Sequence, residues 1–247
     1  RIAVGMGATS LGYTGYLHAL QYAKERPQGR PVLEKDPNSP QIPIIEHADV
    51  RRMLLAQKAY AEGAMALTLY CGRLVDEQHT GATEEDRRNA ELLLDLLTPI
   101  VKSWPSQWCL EANSLAIQVH GGYGYTREYN VEQFYRDNRL NPIHEGTHGI
   151  QGLDLLGRKV LMQDTVDRGL AQGGEVAEWA GQLSAAINDI AVLTAELWGS
   201  GQFDVVLANA SAYLEAFGHI VLAWIWLEQA EAAAGNPGDF YQGKLQA

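Results

Sequence analysis

Residues 118–151 read "QVHGGYGYTREYNVEQFYRDNRLNPIHEGTHGIQ", and this stretch decides how the rest of the chain is interpreted. It opens with a glycine-rich turn and continues through a short polar segment that is predicted to be helical. Its last part contains His144, Glu145 and His148, which spell the H-E-x-x-H signature of zinc peptidases. The same part places Glu145 in front of small residues, which suits a carboxylate that lies against a flat cofactor.

A zinc site of this type needs both histidines on one face of a helix, with the glutamate polarising a metal-bound water. Pro142 can begin a helix at its first position, so a helix through the motif is feasible. Gly146 inside the motif costs a helix about 1 kcal/mol relative to alanine. The extended pattern requires a glycine where Gln151 stands, and Glu175 is only a distant candidate for the third ligand. A zinc peptidase is therefore the alternative, and the main hypothesis places no metal.

Composition narrows the class of protein. The 247 residues carry a net charge of −11, with 46% hydrophobic and 20% charged residues, which is typical of a globular protein with a sizeable core. The chain shows no cluster of basic residues, so we predict no nucleic-acid partner. The longest apolar run, 221–227, is far too short to span a bilayer. Cys71 and Cys109 form no C-x-x-C pair, which favours reduced thiols and a cytoplasmic location.

Apolar spacing predicts an all-α fold. The predicted helices cover 1–25, 44–78, 83–104, 105–116, a segment from 147 that includes Leu156, Val160 and Leu161, and two amphipathic stretches after 175. Thr83 with Asp86 resembles a capping box, and Pro105 is expected to open a new helix. The spacing divides the chain into a helical bundle over 1–163, a linker over 164–174 and a helical extension over 175–247.

Three segments together resemble the C-terminal helical domain of the acyl-CoA dehydrogenases. Residues 1–29 end in "ERPQG", similar to the family's E-R-x-x-F-G turn but without its phenylalanine. Residues 118–143 are similar to the family's Q-x-x-G-G-x-G stretch followed by R-D, and "EGTHGIQ" at 145–151 is similar to its E-G-T-x-x-I-Q motif. The extension is similar to that of the subgroup that includes 3-methylthiopropionyl-CoA dehydrogenase. Because the chain begins at Arg1 within a predicted helix, we expect it to be a piece of a longer protein, without the family's N-terminal α and middle β domains.

The resemblance implies an activity and its partners. Such an enzyme desaturates an acyl-CoA thioester between the α and β carbons, and Glu145 matches the base that removes the α proton while a hydride passes to FAD. The resemblance also implies electron-transfer flavoprotein as the electron acceptor, the N-terminal half of the same enzyme as a partner, and a homodimer or homotetramer. A non-catalytic relative, kept for oligomerisation or binding, is a further alternative.

The resemblance assigns roles to individual residues. Arg26 matches an arginine that reaches a flavin phosphate across a subunit interface, and Gln118, Gly121 and Gly122 match contacts to the adenine-ribose part of the same flavin. The full set of implied flavin contacts is Arg26, Gln28, Gln118, Gly121, Gly122, Thr147 and Gly149, and the implied substrate contacts are Arg1 and Gly146.

Overall fold

The computed structural model describes residues 1–155 and 163–247, and within these ranges the chain forms ten α-helices and no β-strand. The predicted all-α fold is confirmed. The helices are α1 (Ile2–Glu25), α2 (Ala48–Thr80), α3 (Glu84–His120), α4 (Val131–Asn138), α5 (His148–Leu155), α6 (Gln163–Gln172), α7 (Gly174–Gly199), α8 (Phe203–Ala208), α9 (Ala210–Ala233) and α10 (Asp239–Leu245). The predicted helical positions Leu156, Val160 and Leu161 lie outside the described residues.

Helices α1, α2 and α3 form the bundle, and α1 packs on α3 through glycines. A Cβ atom added to Gly12 would lie 2.6 Å from the Cβ atom of Cys109, and one added to Gly15 would lie 2.4 Å from the amide nitrogen of Asn113. The Asn113 side chain also donates a hydrogen bond of 2.9 Å to the carbonyl of Leu11. Because these glycines have no side chains, the backbone of α1 can approach α3 closely.

The single helix α3 corrects the prediction that one helix ends near Trp104 and another begins at Pro105. Proline inside a helix leaves the carbonyl four residues earlier without its N–H partner, here that of Val101. Gly5 of α1 covers this oxygen so closely that an added Cβ atom would lie 1.8 Å from it. Because α3 is buried here on the neighbouring helices, tertiary packing offsets the roughly 3 kcal/mol that an interior proline costs. The predicted capping box of Thr83 and Asp86 is present, with both hydrogen bonds at 3.0 Å.

The C-terminal helices share a hydrophobic core with the bundle. Trp226 of α9 packs where Gly63 of α2 has no side chain, and its indole N–H donates to the carbonyl of Ala59 at 3.2 Å. The second helix predicted for the extension is divided at Asn209 into α8 and α9, and the short α10 follows. The extension is thus packed onto the bundle rather than appended to it.

Most residues of the predicted linker at 164–174 form helix α6. One face of α6 is anchored on α9: the Thr165 hydroxyl accepts a hydrogen bond of 2.6 Å from the Trp224 indole and donates one of 2.5 Å to Glu228. Arg168 forms ion pairs of 2.6 Å with Glu228 and 3.1 Å with Glu231. These contacts stabilise a helix that the polar sequence and Gly169 do not favour on their own.

Helix α9 is long and apolar enough to cross a membrane by length and composition, with a mean hydropathy of 1.3 over its most apolar window. More than half of that window, 56%, is buried within the described structure. Phe217, Val221 and Trp224 are almost fully buried, and they belong to the core shared with α2 and α3. The apolar character of α9 is therefore that of a core helix.

Candidate active site

The turn between α4 and α5 places Glu145 at the surface. Glu145 has a φ of 52° and is the non-glycine residue with positive φ among those described, and Gly146 follows with a φ of 95°. A side chain at position 146 would also be crowded, because an added Cβ atom would lie 2.5 Å from the amide nitrogen of Gln151. Glycine is thus required after Glu145, whose own left-handed backbone is uncommon for a residue with a long side chain.

This turn does not have the geometry of a zinc-peptidase motif. His144 and Glu145 lie in the turn, whereas the helix begins only at His148. The two histidines are therefore not on one face of a helix, as an H-E-x-x-H site requires. Within residues 1–155 and 163–247, no three His, Cys, Asp or Glu side chains are grouped as metal ligands.

Two buried side chains hold the turn by consecutive backbone carbonyls. The Gln151 amide donates to the carbonyl oxygen of Glu145 at 3.1 Å, and the Lys102 ammonium donates to that of Gly146 at 2.6 Å. Gln151 is 2% exposed and Lys102 is fully buried. Sequence reasoning assigned neither residue to the site. One feature of the sequence could have indicated Lys102, because it is a cation within the mostly apolar run "TPIVKSW" at 98–104.

The Glu145 side chain is 59% exposed and lies in a shallow depression beside Arg1. The Arg1 guanidinium donates to the Gln151 side chain at 3.1 Å and pairs with Asp154 at 2.5 Å. Ile150 and Leu153, from α5, line the same depression and are 59% and 50% exposed. The depression therefore combines a solvent-accessible carboxylate with apolar side chains that the described structure leaves uncovered.

The other predicted flavin contacts lie at the C-terminal end of α3. The Arg26 guanidinium, at the end of α1, lies 5.4 Å from the centre of the Tyr123 ring, in the turn that follows α3. Gly121 has a φ of 62°, and its N–H bonds to the carbonyl of Gln118. Cβ atoms added to Gly121 or Gly122 would have no atom of the described residues within 4 Å. These residues therefore form an open glycine surface beside an arginine.

Gln28 continues this second group through its backbone. Its N–H donates to the carbonyl of Ile42 at 2.9 Å, and its own carbonyl lies 2.7 Å from the His47 ring nitrogen. The Gln28 side chain is exposed. These bonds fix the turn after α1 and leave the amide of Gln28 free to face a ligand.

The predicted site residues thus form two separate surfaces. The base surface consists of Arg1, Glu145, Gly146, Thr147 and Gly149, and the glycine surface consists of Arg26, Gln28, Gln118, Gly121 and Gly122. Lys102 contacts the first surface and Gln118 belongs to the second, and both are on α3. Gln118 follows Lys102 by 16 positions, which corresponds to about 24 Å along the helix.

Sequence comparison identifies the family. A profile described as "Acyl-CoA dehydrogenase, C-terminal domain" matches residues 1–161, which is more than half of the chain. The chain belongs to the acyl-CoA dehydrogenase family. A second profile, "Acetyl-CoA dehydrogenase C-terminal like", matches residues 160–247, so the family match continues through the C-terminal helices.

Curated members of the acyl-CoA dehydrogenase family align with nearly the whole chain. The 3-methylmercaptopropionyl-CoA dehydrogenase of Ruegeria pomeroyi is 36% identical over 99% of this chain and 45% of its own length. A broad-specificity linear acyl-CoA dehydrogenase of Mycobacterium tuberculosis is 34% identical over 99% and 45%. A subunit of the caffeyl-CoA reductase–Etf complex of Acetobacterium woodii is 30% identical over 62% of this chain and 35% of its own length. The chain spans less than half the length of these relatives.

Solved structures of the family share the fold. Caenorhabditis elegans ACDH-11, solved in complex with C11-CoA, superposes with a TM-score of 0.80 at 16% identity, covering 99% of this chain and 41% of that one. An acyl-CoA dehydrogenase of Bacillus anthracis complexed with FAD gives a TM-score of 0.70 at 20% identity, covering 100% and 43%. The helices after α5 are included in both superpositions, so this acyl-CoA dehydrogenase fold extends to the C-terminal helices.

Proposed function

We propose that the chain is the C-terminal part of an FAD-dependent acyl-CoA dehydrogenase, in which Glu145 removes the α proton of an acyl-CoA thioester. The observation that supports this most is the position of Glu145 in an acyl-CoA dehydrogenase fold. Its carboxylate is accessible on a turn held by Lys102 and Gln151, beside the exposed side chains of Ile150 and Leu153. The remainder of the enzyme and the substrate would cover this surface.

The base surface supports proton abstraction by its geometry. A general base must be held within hydrogen-bond reach of the proton it removes, and the two carbonyl contacts in the turn restrict the backbone that carries Glu145. Exclusion of water from the covered site would also prevent exchange of the abstracted proton with solvent. When bound, FAD supplies the acceptor for the hydride that leaves the β carbon.

The residues of both surfaces fit FAD. On the base surface, the one described atom within 4 Å of a Cβ atom added to Gly149 would be the Ser211 hydroxyl oxygen, at 3.8 Å, and the first N–H groups of a helix such as α5 have no partners within the helix. A flat ring can therefore approach this backbone at Thr147 and Gly149. On the glycine surface, the Arg26 Nε atom is buried without a hydrogen-bond partner among the described residues, and the Arg26 guanidinium lies beside Tyr123, the residue that follows Gly121 and Gly122. An arginine beside uncovered backbone suits a phosphate or ribose group.

The separation of the two surfaces supports an oligomer. With about 24 Å of α3 between them, we assign the base surface to one FAD and the glycine surface to the FAD of a neighbouring subunit, in a homodimer or homotetramer. The N-terminal half of the enzyme completes each site.

Electron-transfer flavoprotein is the proposed electron acceptor, supported by the relative that belongs to a reductase–Etf complex. The acyl group is not assigned. The domain division at 163 and 174 remains a proposal, and the cytoplasmic location and the absence of nucleic acid remain predictions from composition.

Anaerobic titration of the complete enzyme with a series of acyl-CoA thioesters tests this function. The proposal predicts loss of flavin absorbance with at least one saturated acyl-CoA and no loss with the matching enoyl-CoA. Flavin that stays oxidised with every thioester would favour the non-catalytic alternative. Addition of a zinc chelator is expected to leave the titration unchanged.

A further inference from the structure

Lys102 is the largest fully buried side chain of the described structure. Burying an ammonium group is costly unless it is paired or hydrogen-bonded. Among the described residues, no carboxylate forms an ion pair with Lys102 within 4 Å, and its ammonium donates a hydrogen bond of 2.6 Å to the carbonyl of Gly146. A buried cation is thus held against the backbone of the turn that carries Glu145.

The charges around Lys102 come from several elements. Burial lowers the pKa of Lys102, and the nearby Glu145 carboxylate opposes that shift. Burial also lowers the pKa of His148, and the Lys102 charge adds to this effect, while Glu215 of α9 opposes it and Arg139 reinforces it. Lys102 therefore interacts electrostatically with both Glu145 and His148, and its charge adds to the effect of burial in lowering the pKa of His148.

Lys102 contacts the turn where two consecutive residues have a positive φ. Glu145 and Gly146 both have positive φ, and each has its carbonyl held by a buried side chain, Gln151 for the first and Lys102 for the second. Residues in such conformations persist when the surroundings fix them. Lys102 is the one of these two side chains that comes from another part of the chain, 44 residues away. It therefore links the direction of the Glu145 side chain to the position of α3.

We propose that Lys102 is a positioning residue for the reaction, whose ammonium fixes the Gly146 carbonyl and thereby aims the Glu145 carboxylate at the substrate. This inference rests on the proposed function. It assigns to Lys102 no proton transfer and no contact with the substrate.

Lys102→Met in the complete flavoenzyme tests the inference, because methionine preserves most of the volume and removes the ammonium. We expect kcat to fall about 10- to 100-fold, as for a misplaced catalytic group, while KM and FAD content stay within about twofold. Amide hydrogen exchange in 144–149 should accelerate.

Lys58→Met is the matched control. Lys58 is also largely buried, but on α2, where it pairs with Glu62 at 2.8 Å, so its loss should leave kcat and exchange in 144–149 unchanged. An unchanged kcat in Lys102→Met would overturn the inference. So would an equal acceleration of exchange throughout α3, since that would show a general structural role. Full turnover by Glu145→Gln would instead remove the proposed base, whereas an inactive Glu145→Gln beside a fully active Lys102→Met would overturn the positioning role alone.

Discussion

Glu145 adopts a backbone conformation that costs a glutamate roughly 1–2 kcal/mol, and two buried side chains stabilise it there. Because the E-G-T motif is local, the sequence alone was sufficient to propose Glu145, Gly146 and Thr147 as site positions, and that assignment stays a prediction. The sequence was not sufficient for Lys102 or Gln151. Their contacts depend on how α3 and α5 pack against the turn, and no spacing within the motif encodes that packing.

The two thiols provide a prediction at the residue scale. Burial raises the pKa of Cys71 and of Cys109 to about 12 in each case. At pH 8 only about one thiol in 10⁴ is then ionised, and the thiolate is the form that reacts. We expect no labelling of the native protein by a thiol reagent and two labels per chain in guanidinium. Stoichiometric labelling of the native protein would contradict this burial.

Helix α3 shows where element-scale prediction from sequence succeeds and fails. Its start at Thr83 follows from a local hydrogen-bonding pattern, so the capping box was predicted correctly. Its continuation through Pro105 was not, because the compensating contacts come from other helices, including Gly5 of α1. Helix α6 was missed for the same reason, since its stabilising partners lie on α9.

Two glycines of α1 give a matched test of the α1–α3 packing. At Gly5 an added Cβ atom would lie 1.8 Å from the Val101 carbonyl oxygen. At Gly7 an added Cβ atom would have no atom of the described residues within 4 Å. Gly5→Ala should lower the free energy of unfolding by about 1–3 kcal/mol, the usual cost of overpacking. Gly7→Ala should raise it by about 0.5–1 kcal/mol, because alanine favours a helix.

Denaturant unfolding followed by far-UV circular dichroism measures both glycine variants under the same conditions. Equal effects of Gly5→Ala and Gly7→Ala would contradict the close approach of α1 to α3 at Val101.

At the scale of the whole molecule, the two surfaces that we assign to flavin lie on one helical bundle. The long helix α3 separates them, with Gly146 contacted near its middle and Gln118 near its end. The sequence predicted the members of each surface by resemblance but not the distance between them, which follows from the unbroken helix. The shared core of α2, α3 and α9 was not predicted either, because apolar spacing along the chain predicted the extension as a separate unit.

Hybrid oligomers test whether the two surfaces serve different flavins. We expect Arg26→Ala and Glu145→Gln each to inactivate a homo-oligomer, the first by weakening FAD binding and the second by removing the base. If Arg26 reaches the neighbouring subunit's FAD, a hybrid of the two variants contains one site with both intact residues. Co-expressed, differently tagged chains should then recover about half of the wild-type activity per hybrid dimer, in line with two-fold symmetry. Hybrids as inactive as either parent would place both residues at the same subunit's flavin.

Single-turnover reduction of the flavin tests whether Glu145 is the base that removes the α proton. Complete enzyme carrying Glu145→Gln is mixed with saturating acyl-CoA without oxygen, next to wild type and a control, Glu34→Gln, in the exposed loop after α1. We expect full FAD content in all three proteins. Flavin reduction should be slowed by about 10²–10⁴-fold in Glu145→Gln alone, which is the range for loss of a general base. Reduction of flavin at the wild-type rate by Glu145→Gln would show that Glu145 is not the base.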